Sequence, residues 1–272
     1  MIAVVTDSSC DLPAATVDDH GITVVPLTIR FGDEELVDRE ELPVDAFWDR
    51  LTTGDVLPTT AAPPVGRFLA AFERLAEAGA DGAVVVTLSS AISGTHGSAV
   101  LAAADAPLPV RVVDSRLVSG ALGLVALAGA ERAAEGGTLD GVESTVRHAC
   151  EGANLFAALD TLEYLRRGGR IGAAAAFFGN ILDVKPLITF ESGAVAAAGR
   201  VRTRSKARAA VLDHAAGLGG AARVGVVTTE SSPDPAFLQA VAERVGRAVL
   251  PMRIGPVVGT HAGPGVLGVV HA

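Results

Sequence analysis

Residues 88–99 read LSSAISGTHGSA, and they follow the apolar run AVVV at residues 83–86. The helix-favouring run SAVLAAA at residues 98–104 ends this segment. This order predicts a buried strand, a turn rich in glycine and hydroxyl side chains, and then a helix. Because a helix N-terminus offers unpaired backbone N–H groups and a positive potential, the turn is suited to bind a phosphate or a carboxylate. We expect the anion at Ser93, Gly94 and Thr95; the alternative is that these residues only cap the helix.

The alternation of strand and helix extends through the first half of the chain. Apolar runs at residues 2–5, 22–31, 83–86 and 110–115 predict strands, and helix-favouring segments separate them. Pro26 within the second run indicates an edge position or a bulge. Strands that alternate with helices are typical of a parallel sheet with right-handed crossovers. We therefore predict an N-terminal parallel α/β domain.

The pattern changes near residue 150. Predicted strands at residues 184–190 and 194–201 flank the sequence ESG at 191–193, which is a hairpin signal. This half is typical of a mixed or antiparallel α+β domain. We place the boundary at residue 150, so the predicted domains are 1–150 and 151–272 within an overall α/β fold.

Composition and charge limit the classes of function. The 272 residues carry a formal net charge of −9 and are 49% apolar, which is enough for two modest domains with a substantial core. The acidic balance argues against binding to nucleic acid or to an anionic lipid surface. Residues 1–7 lack the basic region of a signal peptide, so we expect no such leader, and the longest apolar stretch, residues 120–130, is too short to span a bilayer. Cys10 and Cys150 fit neither a metal-binding nor a disulfide pattern, so we expect a cytoplasmic protein without a metal or other cofactor.

Two threonines lie in the stiff segment PTTAAPP at residues 58–64. Prolines on either side restrict the backbone at Thr59 and Thr60, so their hydroxyl groups can donate to an anion with little further loss of freedom. The alternative is that they cap the helix predicted from about residue 65. Asp7 and Ser8 follow the first predicted strand, where ligands of parallel sheets collect, but we favour capping of the following turn for both.

Eight segments of this chain, taken together and in order, carry a resemblance. They are TDSSCDLP at 6–13, VVPLTIRF at 24–31, PTT at 58–60, LSSAISGTHGSA at 88–99, VVDSRLVSGALG at 112–123, LDTLEYLRRGGRIG at 159–172, DVKPLITFESG at 183–193 and GPVVGTHAGPGVLG at 255–268. Each segment alone is a weak signal, but their order over essentially the whole chain resembles the DegV family of bacterial fatty-acid-binding proteins.

The resemblance implies a parallel α/β domain followed by a second α/β domain, with a fatty acid buried between or within them. Family members serve as the binding subunit of a fatty acid kinase, in which a partner subunit uses ATP to convert the bound fatty acid into an acyl phosphate. The implied ligand is a long-chain fatty acid such as palmitate, stearate or oleate. The implied role is lipid binding in phospholipid metabolism, without catalysis by this chain alone.

The resemblance also implies a set of residues around the fatty acid carboxylate. Together these residues offer the carboxylate hydroxyl, guanidinium, imidazole and backbone N–H groups. The set is Thr59, Thr60, Ser93, Gly94, Thr95, Arg170 and His261. The glycines around His261 predict a tight loop, on which the imidazole binds the carboxylate or orients Ser93. The chain departs from the family pattern at two places. Where the family has Thr-Ser-Gln-Pro, this chain has Thr59-Thr60-Ala61-Ala62, and where the family has an aromatic residue after Ser-Gly-Thr, this chain has His96.

A fatty acid tail needs an apolar tunnel. Burying about 14 methylenes at about 0.8 kcal/mol each contributes roughly 11 kcal/mol of transfer free energy, and association offsets much of it. The candidate lining residues are Phe177, Phe178, Ile181, Leu182, Leu187 and Phe190, each of which could equally be ordinary core. Arg166, Arg167 and the basic residues between 200 and 208 are candidates for docking an acidic kinase surface.

Two other classes of function remain as alternatives. Ser93, His261 and Asp114 could form the triad of a serine hydrolase that acts on an acyl substrate, although the chain has no Gly-x-Ser-x-Gly nucleophile elbow. A nucleotide-binding domain is disfavoured, because neither a dinucleotide-binding glycine motif after the first strand nor a phosphate-binding Gly-x-x-x-x-Gly-Lys motif occurs.

Overall fold

The structure, a computed structural model, describes residues 1–177 and 184–272. Its strands are β1 (Ile2–Asp7), β2 (Thr23–Val25), β3 (Thr28–Phe31), β4 (Glu34–Val37), β5 (Thr59–Ala61), β6 (Gly82–Thr87), β7 (Val110–Asp114), β8 (Asn154–Ala158), β9 (Lys185–Glu191), β10 (Ala194–Val201), β11 (Val224–Thr228), β12 (Leu250–Arg253) and β13 (Leu267–His271). Its α-helices are α1 (Ala14–Asp19), α2 (Val44–Thr53), α3 (Val65–Glu77), α4 (Thr95–Ala104), α5 (Ser119–Ala134), α6 (Leu139–Gly152), α7 (Glu163–Arg167), α8 (Arg204–Ala215), α9 (Pro235–Val245) and α10 (Pro256–Ala262). Short 3₁₀ turns occupy Ser8–Cys10, Gly172–Phe177 and Ala216–Leu218.

The first half builds the predicted parallel sheet, in the order β2-β1-β6-β7. Every residue of β6 is buried, because helices cover both faces of this central strand. Ala83 and Val85 pack with α3 and α4, whereas Val84 and Val86 face α5. The continuous apolar run that precedes residue 88 is therefore a strand with no solvated face.

The second half builds a mixed sheet in the order β10-β9-β8-β13-β11-β12, in which only the β11–β12 pair is parallel among the pairs described. Helices α8 and α9 cover one face, where Val211 and Phe237 are buried. The other face looks toward the parallel sheet. The predicted combination of a parallel sheet and a mixed sheet, and with it the α/β fold class, is confirmed.

Helix α5 lies between the two sheets and is buried on all sides from Ser119 to Ala130. Such a helix must be apolar around its whole circumference, which explains the sequence GALGLVALAGA at 120–130. A Cβ atom at Gly120 would overlap Met252 and crowd Val227, so the missing side chain lets the helix approach the mixed sheet closely.

The predicted strand at 22–31 is wrong as a single element. β2 ends at Val25 within the parallel sheet, while β3 pairs antiparallel with β4 and β5 in a separate small sheet. Pro26 lies at the break, because it lacks the N–H that would continue the ladder. The backbone N–H of Leu27 is instead satisfied by the Ser8 hydroxyl at 3.1 Å.

The two halves share their largest hydrophobic cluster, which contains Val84 and Leu122 from the first half and Leu155 and Val270 from the second. The residue-150 boundary separates the strands of the two large sheets but does not separate this core, and the division into two domains stays a prediction. None of the helices in the described ranges combines the length and the apolar character that crossing a bilayer requires.

Candidate functional site

A cavity of about 140 Å³ lies between the mixed sheet and the elements that pack on its inner face. Its walls are almost entirely apolar and come from strands β8, β9, β10, β11 and β13, with α10 and the turn before α5 on the opposite side. Representative lining residues are Leu155, Ala157, Ile188, Phe190, Val227 and Val270. The space suits a narrow apolar ligand.

Strand alternation decides which side chains reach the cavity. In β8, Leu155 and Ala157 line it, whereas Phe156 and Ala158 belong to the cluster under α8 and α9. β9 follows the same rule, because successive side chains of a strand point to opposite faces. Phe190 therefore lines the cavity, and Leu187 packs on the far face with the α8–α9 cluster.

Polar groups gather at one end of the cavity from four separate places in the chain. Thr60 comes from β5, Ser93 and Gly94 from the turn before α4, Arg170 from the segment after α7, and His261 from α10. The structure thus brings five of the seven predicted carboxylate-binding residues to the cavity lining. This polar end is where a ligand's charged head group can be hydrogen-bonded.

Thr60 and His261 contact each other directly, with 2.9 Å between Thr60 Oγ1 and His261 Nε2. Burial, reinforced by the positive charge of Arg170, lowers the pKa of His261 to about 4, so the imidazole is neutral at pH 7. His261 lies in α10, so the predicted tight loop is wrong. A flanking glycine instead makes room for a neighbouring aromatic side chain, because a Cβ at Gly259 would lie 2.7 Å from the Phe47 ring.

The Nδ1 atom of His261 is buried without a hydrogen-bond partner. This edge of the ring rests on Gly168, where an added Cβ would overlap Nδ1. The next glycine, Gly169, has a φ of +68° and ends α7. The glycine pair in LRRGGR therefore serves two purposes: Gly168 makes room for the imidazole, and Gly169 turns the chain.

Arg170 connects the two sides of the polar end. Its Nε donates to the carbonyl of Ile92 at 3.1 Å, and Nη1 donates to the carbonyl of Gly168 at 2.6 Å. These bonds use two of the five N–H groups of the guanidinium and hold it beside the turn that carries Ser93. Arg170 thus places a positive charge where a carboxylate would otherwise be buried without a counter-charge.

Ser93 faces the cavity and is oriented by its own turn. Its Oγ lies 2.9 Å from Thr95 Oγ1 and accepts the backbone N–H of Thr95 at 3.3 Å. Thr95 is fully buried and does not line the cavity. It supports Ser93 through the contact between the two hydroxyl groups. The N-terminus of α4 therefore reaches the polar end through Ser93 and Gly94.

A second recess of about 310 Å³ adjoins the polar end on its outer side. It shares Thr60, Arg170 and His261 with the cavity. We call this recess the vestibule; its polar lining is Thr59, Thr60, Arg167, Arg170, Thr260 and His261. Thr59 is exposed and borders the vestibule, not the cavity, which distinguishes it from its neighbour Thr60.

Four of the predicted tail residues cannot be compared with the cavity. Phe178, Ile181 and Leu182 lie outside the described residues, and so does the side chain of Phe177. The lining that the sequence analysis missed comes from many elements, among them β8, which contributes Leu155 and Ala157, and α10, which contributes Val257 and Val258. The alternation in residues 154–159 was the available signal, but both of its faces are apolar, so periodicity could not identify the cavity side.

The residues proposed for a hydrolase triad have other partners. Ser93 pairs with Thr95, His261 with Thr60, and the Asp114 carboxylate with the Ser90 hydroxyl at 2.5 Å and the Arg116 N–H at 3.0 Å. A triad needs the base to contact the nucleophile and the acid to contact the base. The geometry provides no support for this alternative. The described residues also contain no group of three or more His, Cys, Asp and Glu side chains that could hold a metal ion.

Comparisons with known proteins agree over the whole chain. A family model described as "Uncharacterised protein, DegV family" matches residues 1–272. A DegV domain-containing protein of Streptomyces coelicolor is 44% identical over 276 residues, with 99% of this chain and 97% of that protein covered.

Solved structures show the same fold. A structure described as "Fatty Acid Binding of a DegV family Protein from Thermus thermophilus" matches with a TM-score of 0.87 and 33% identity, covering 99% of this chain and 98% of that one. A stearic acid-binding protein from Eubacterium ventriosum matches with a TM-score of 0.89 and 26% identity, covering 100% and 98%. The resemblance inferred from the eight sequence segments is confirmed, and the chain belongs to the DegV family.

Proposed function

We propose that this protein binds one long-chain fatty acid, such as palmitate, stearate or oleate, in the apolar cavity. The observation that carries the proposal is an apolar space that ends in the hydroxyl, guanidinium and imidazole groups of Thr60, Ser93, Arg170 and His261. The tail supplies affinity through burial, and the polar end satisfies the carboxylate. The relatives from Thermus thermophilus and Eubacterium ventriosum are described as fatty-acid-binding proteins, which supports the same ligand class for this chain.

The protein then presents the carboxylate to a separate kinase subunit, which transfers a phosphoryl group from ATP to give an acyl phosphate. Support comes from the vestibule, which leaves Thr60, Arg170 and His261 accessible from outside the tail cavity. In this scheme the chain is a cytoplasmic binding subunit that works without a metal or cofactor, its domains are residues 1–150 and 151–272, and the ligand lies between them. Thr59 assists from the vestibule, on the outer side of the carboxylate site. Thr95 assists by holding the Ser93 hydroxyl in place.

Docking of the kinase is assigned to the α7 side of the molecule. Arg166 and Arg167 are exposed there, and Arg167 borders the vestibule. By contrast, Arg204 and Arg208 lie on α8, on the far face of the mixed sheet, where they pair with Glu230 and Asp234. Charge reversal at Arg166 and Arg167 should weaken kinase-coupled turnover and leave palmitate affinity unchanged. Equal loss of both would contradict the docking assignment.

Fatty acid binding is tested by native mass spectrometry of the purified protein, followed by lipid extraction under denaturing conditions. We expect a co-purifying fatty acid at close to one per chain, or uptake of added palmitate by delipidated protein. Ser93→Ala and Arg170→Gln should weaken that uptake, whereas Leu187→Ala, on the far face of β9, should not. A ligand-free mass with no uptake of palmitate or oleate would overturn the proposal.

A further inference from the structure

We propose that the ring of Phe190 is the stop that sets the longest fatty acid tail the cavity accepts. The inference rests on the proposed function and deepens it, because it names a specificity-determining residue for that ligand. The observation behind it is that one side chain separates the tail cavity from a second recess.

The second recess has a volume of about 280 Å³, and none of the described residues that line it also lines the vestibule. We call it the side recess. Its walls come from the end of β7 and the turn after it, the C-terminal end of α6 and the tip of the β9–β10 hairpin. Its lining includes Asp114, Leu117, Cys150, Ala153, Phe190 and Gly193.

The partition between the two spaces contains a single shared side chain. Among the described residues, Phe190 alone lines both the tail cavity and the side recess. Elsewhere the partition is backbone: Leu117 and Asn154 line the recess, and the residues that follow them, Val118 and Leu155, line the cavity. A substitution cannot remove these backbone segments, but it can remove the ring.

Phe190 also lies on the last rung of the mixed sheet that lines the cavity. It pairs with Val195, the β8–β9 register places it level with Leu155, and Leu155 pairs with Val270. Helix α10, which carries His261, immediately precedes β13 and so joins the sheet at the opposite end of these strands. A tail that runs along the strands from the polar end therefore meets the ring last.

The inner part of the side recess is suited to the methyl end of a longer tail. Leu117 and Ala153 are buried apolar side chains that line it. Burial raises the pKa of the Cys150 thiol to about 12, so this group is uncharged at pH 7 and behaves as a small apolar side chain.

The charged groups of the side recess already have partners. The Asp114 carboxylate accepts from the Ser90 hydroxyl at 2.5 Å, and Nη2 of Arg116 donates to the carbonyl of Ser192 at 2.8 Å. A hydrocarbon chain that entered the recess would not deprive either group of its hydrogen bond. Its entry would therefore avoid the cost of an unpaired polar group at these two side chains.

The length dependence of binding follows from burial. Each methylene that is buried raises affinity about fourfold, so affinity should rise with tail length until the terminal methyl group reaches the ring. Beyond that length a further methylene has no apolar space to enter. Removing the ring joins the cavity to the side recess, and only the longer tails should gain.

The experiment offers delipidated protein an equimolar mixture of myristate, palmitate, stearate, arachidate and behenate, and native mass spectrometry measures which ones are bound. We expect the ratio of bound arachidate to bound palmitate to be below one in wild-type protein. Phe190→Ala should raise the ratio about fifteenfold, the effect of two further buried methylenes. Because the acids compete in one mixture, a general loss of affinity cancels from the ratio.

Three further variants separate removal of the stop from other effects. Leu155→Ala truncates a side chain on the same rung that does not line the side recess, so it widens the cavity without joining the two spaces and should change the ratio less than threefold. Leu187→Ala, on the far face of β9, should leave the ratio unchanged. Phe190→Leu keeps a branched apolar side chain and should raise the ratio about threefold, which provides the test if Phe190→Ala does not fold.

The thiol of Cys150 reports where the longer tail ends. Cys10 is fully buried, whereas Cys150 is partly exposed and lines the side recess. In Phe190→Ala, bound arachidate should therefore slow the alkylation of Cys150 by iodoacetamide at least threefold relative to bound palmitate. Equal rates would show that the tail does not enter the side recess and would contradict the proposal.

The outcomes distinguish the stop from the proposed function. If the wild-type protein binds none of the acids, the proposed function itself is wrong. If it binds them and neither Phe190 variant changes the ratio, the stop is wrong and fatty acid binding stands. Equal shifts in Leu155→Ala and Phe190→Ala would also overturn the stop, because they would indicate only a wider cavity.

Discussion

Asp11 accepts a hydrogen bond from the backbone N–H of Gly255, 244 residues further along the chain, at 2.8 Å. Gly255 immediately precedes α10, the helix that carries His261. Asp11 also accepts from the Ser119 hydroxyl at 2.7 Å, at the start of α5, and it pairs with Arg39. One buried carboxylate therefore ties together the starts of the two helices that border the cavity.

Replacing Asp11 tests whether this connection positions His261. We expect Asp11→Ala to lower the free energy of unfolding by about 3 kcal/mol, because it leaves buried donors unpaired, and to weaken palmitate binding. Asp11→Asn should lose less stability and less palmitate affinity than Asp11→Ala. Asparagine keeps an acceptor for Gly255 and tolerates the left-handed backbone at this position, where φ is +52°.

The measurements are urea unfolding and a palmitate titration under conditions in which every variant is folded. Val146→Ala serves as the control, since Val146 is fully buried in α6 and does not line the cavity. It should lower stability without lowering affinity. If Asp11→Ala bound palmitate as tightly as Val146→Ala, the positioning role would be wrong.

Gly168→Ala should damage the polar end without touching a polar side chain. The new Cβ would overlap Nδ1 of His261, so the ring must move and its contact with Thr60 is lost. We expect palmitate affinity to fall about tenfold, the scale of one lost hydrogen bond to a charged group. Gly97→Ala, near the same site in α4, has nothing within 4 Å of its Cβ and should leave affinity unchanged. Equal affinities for the two variants would refute this account of the glycine pair.

Adjacent threonines should differ in their effect on palmitate. Thr60→Val removes the hydroxyl that contacts His261 and lines the cavity, and we expect it to weaken binding about tenfold. Thr60→Ser should restore most of the affinity. Thr59→Val should change palmitate affinity less than twofold, because Thr59 is exposed and does not line the cavity. Isothermal titration calorimetry distinguishes the three variants, and a larger loss at Thr59 than at Thr60 would contradict the assigned geometry.

The carboxyl groups buried near the start of the chain should make a contribution to stability that falls as pH rises from about 4 to 7, opposite in sign to the contribution of His261, whose lowered pKa favours the folded state as pH rises. Burial raises the pKa of Asp38 to about 7, against the smaller opposing effects of the Arg39 charge and of a hydrogen bond with the Ser8 side chain. Burial also raises the pKa of Asp7 and of Asp11 to about 6 each. The folded state therefore holds protons that the unfolded chain has released, so this contribution is complete below pH 4 and is lost by pH 7.

Asp38→Asn removes one of these titrations and should flatten the profile. A shift of this size corresponds to up to about 4 kcal/mol between the two ends of the pH range. Urea unfolding of wild-type protein and Asp38→Asn from pH 4 to pH 8 measures the difference in slope. Parallel profiles would show that Asp38 titrates normally in the folded state.

The sequence by itself determined the local elements and the family. The strand, turn and helix around residues 83–104 followed from an apolar run, a hydroxyl-rich turn and small residues, since these signals act between near neighbours. The order of eight segments led to the DegV family. Most strand and helix positions were also predictable, although α6, α10 and β13 were not predicted and Pro26 divided one expected strand.

Only the tertiary structure decided which residues meet. Thr60 contacts His261 across 201 residues, and Gly168 makes room for the same imidazole, because separate elements pack against one another at the polar end. Periodicity could not show that Phe190 faces the cavity and Leu187 does not, since both faces of the mixed sheet are covered and apolar. Local sequence specifies which positions share a face, but the packing partner decides what that face does.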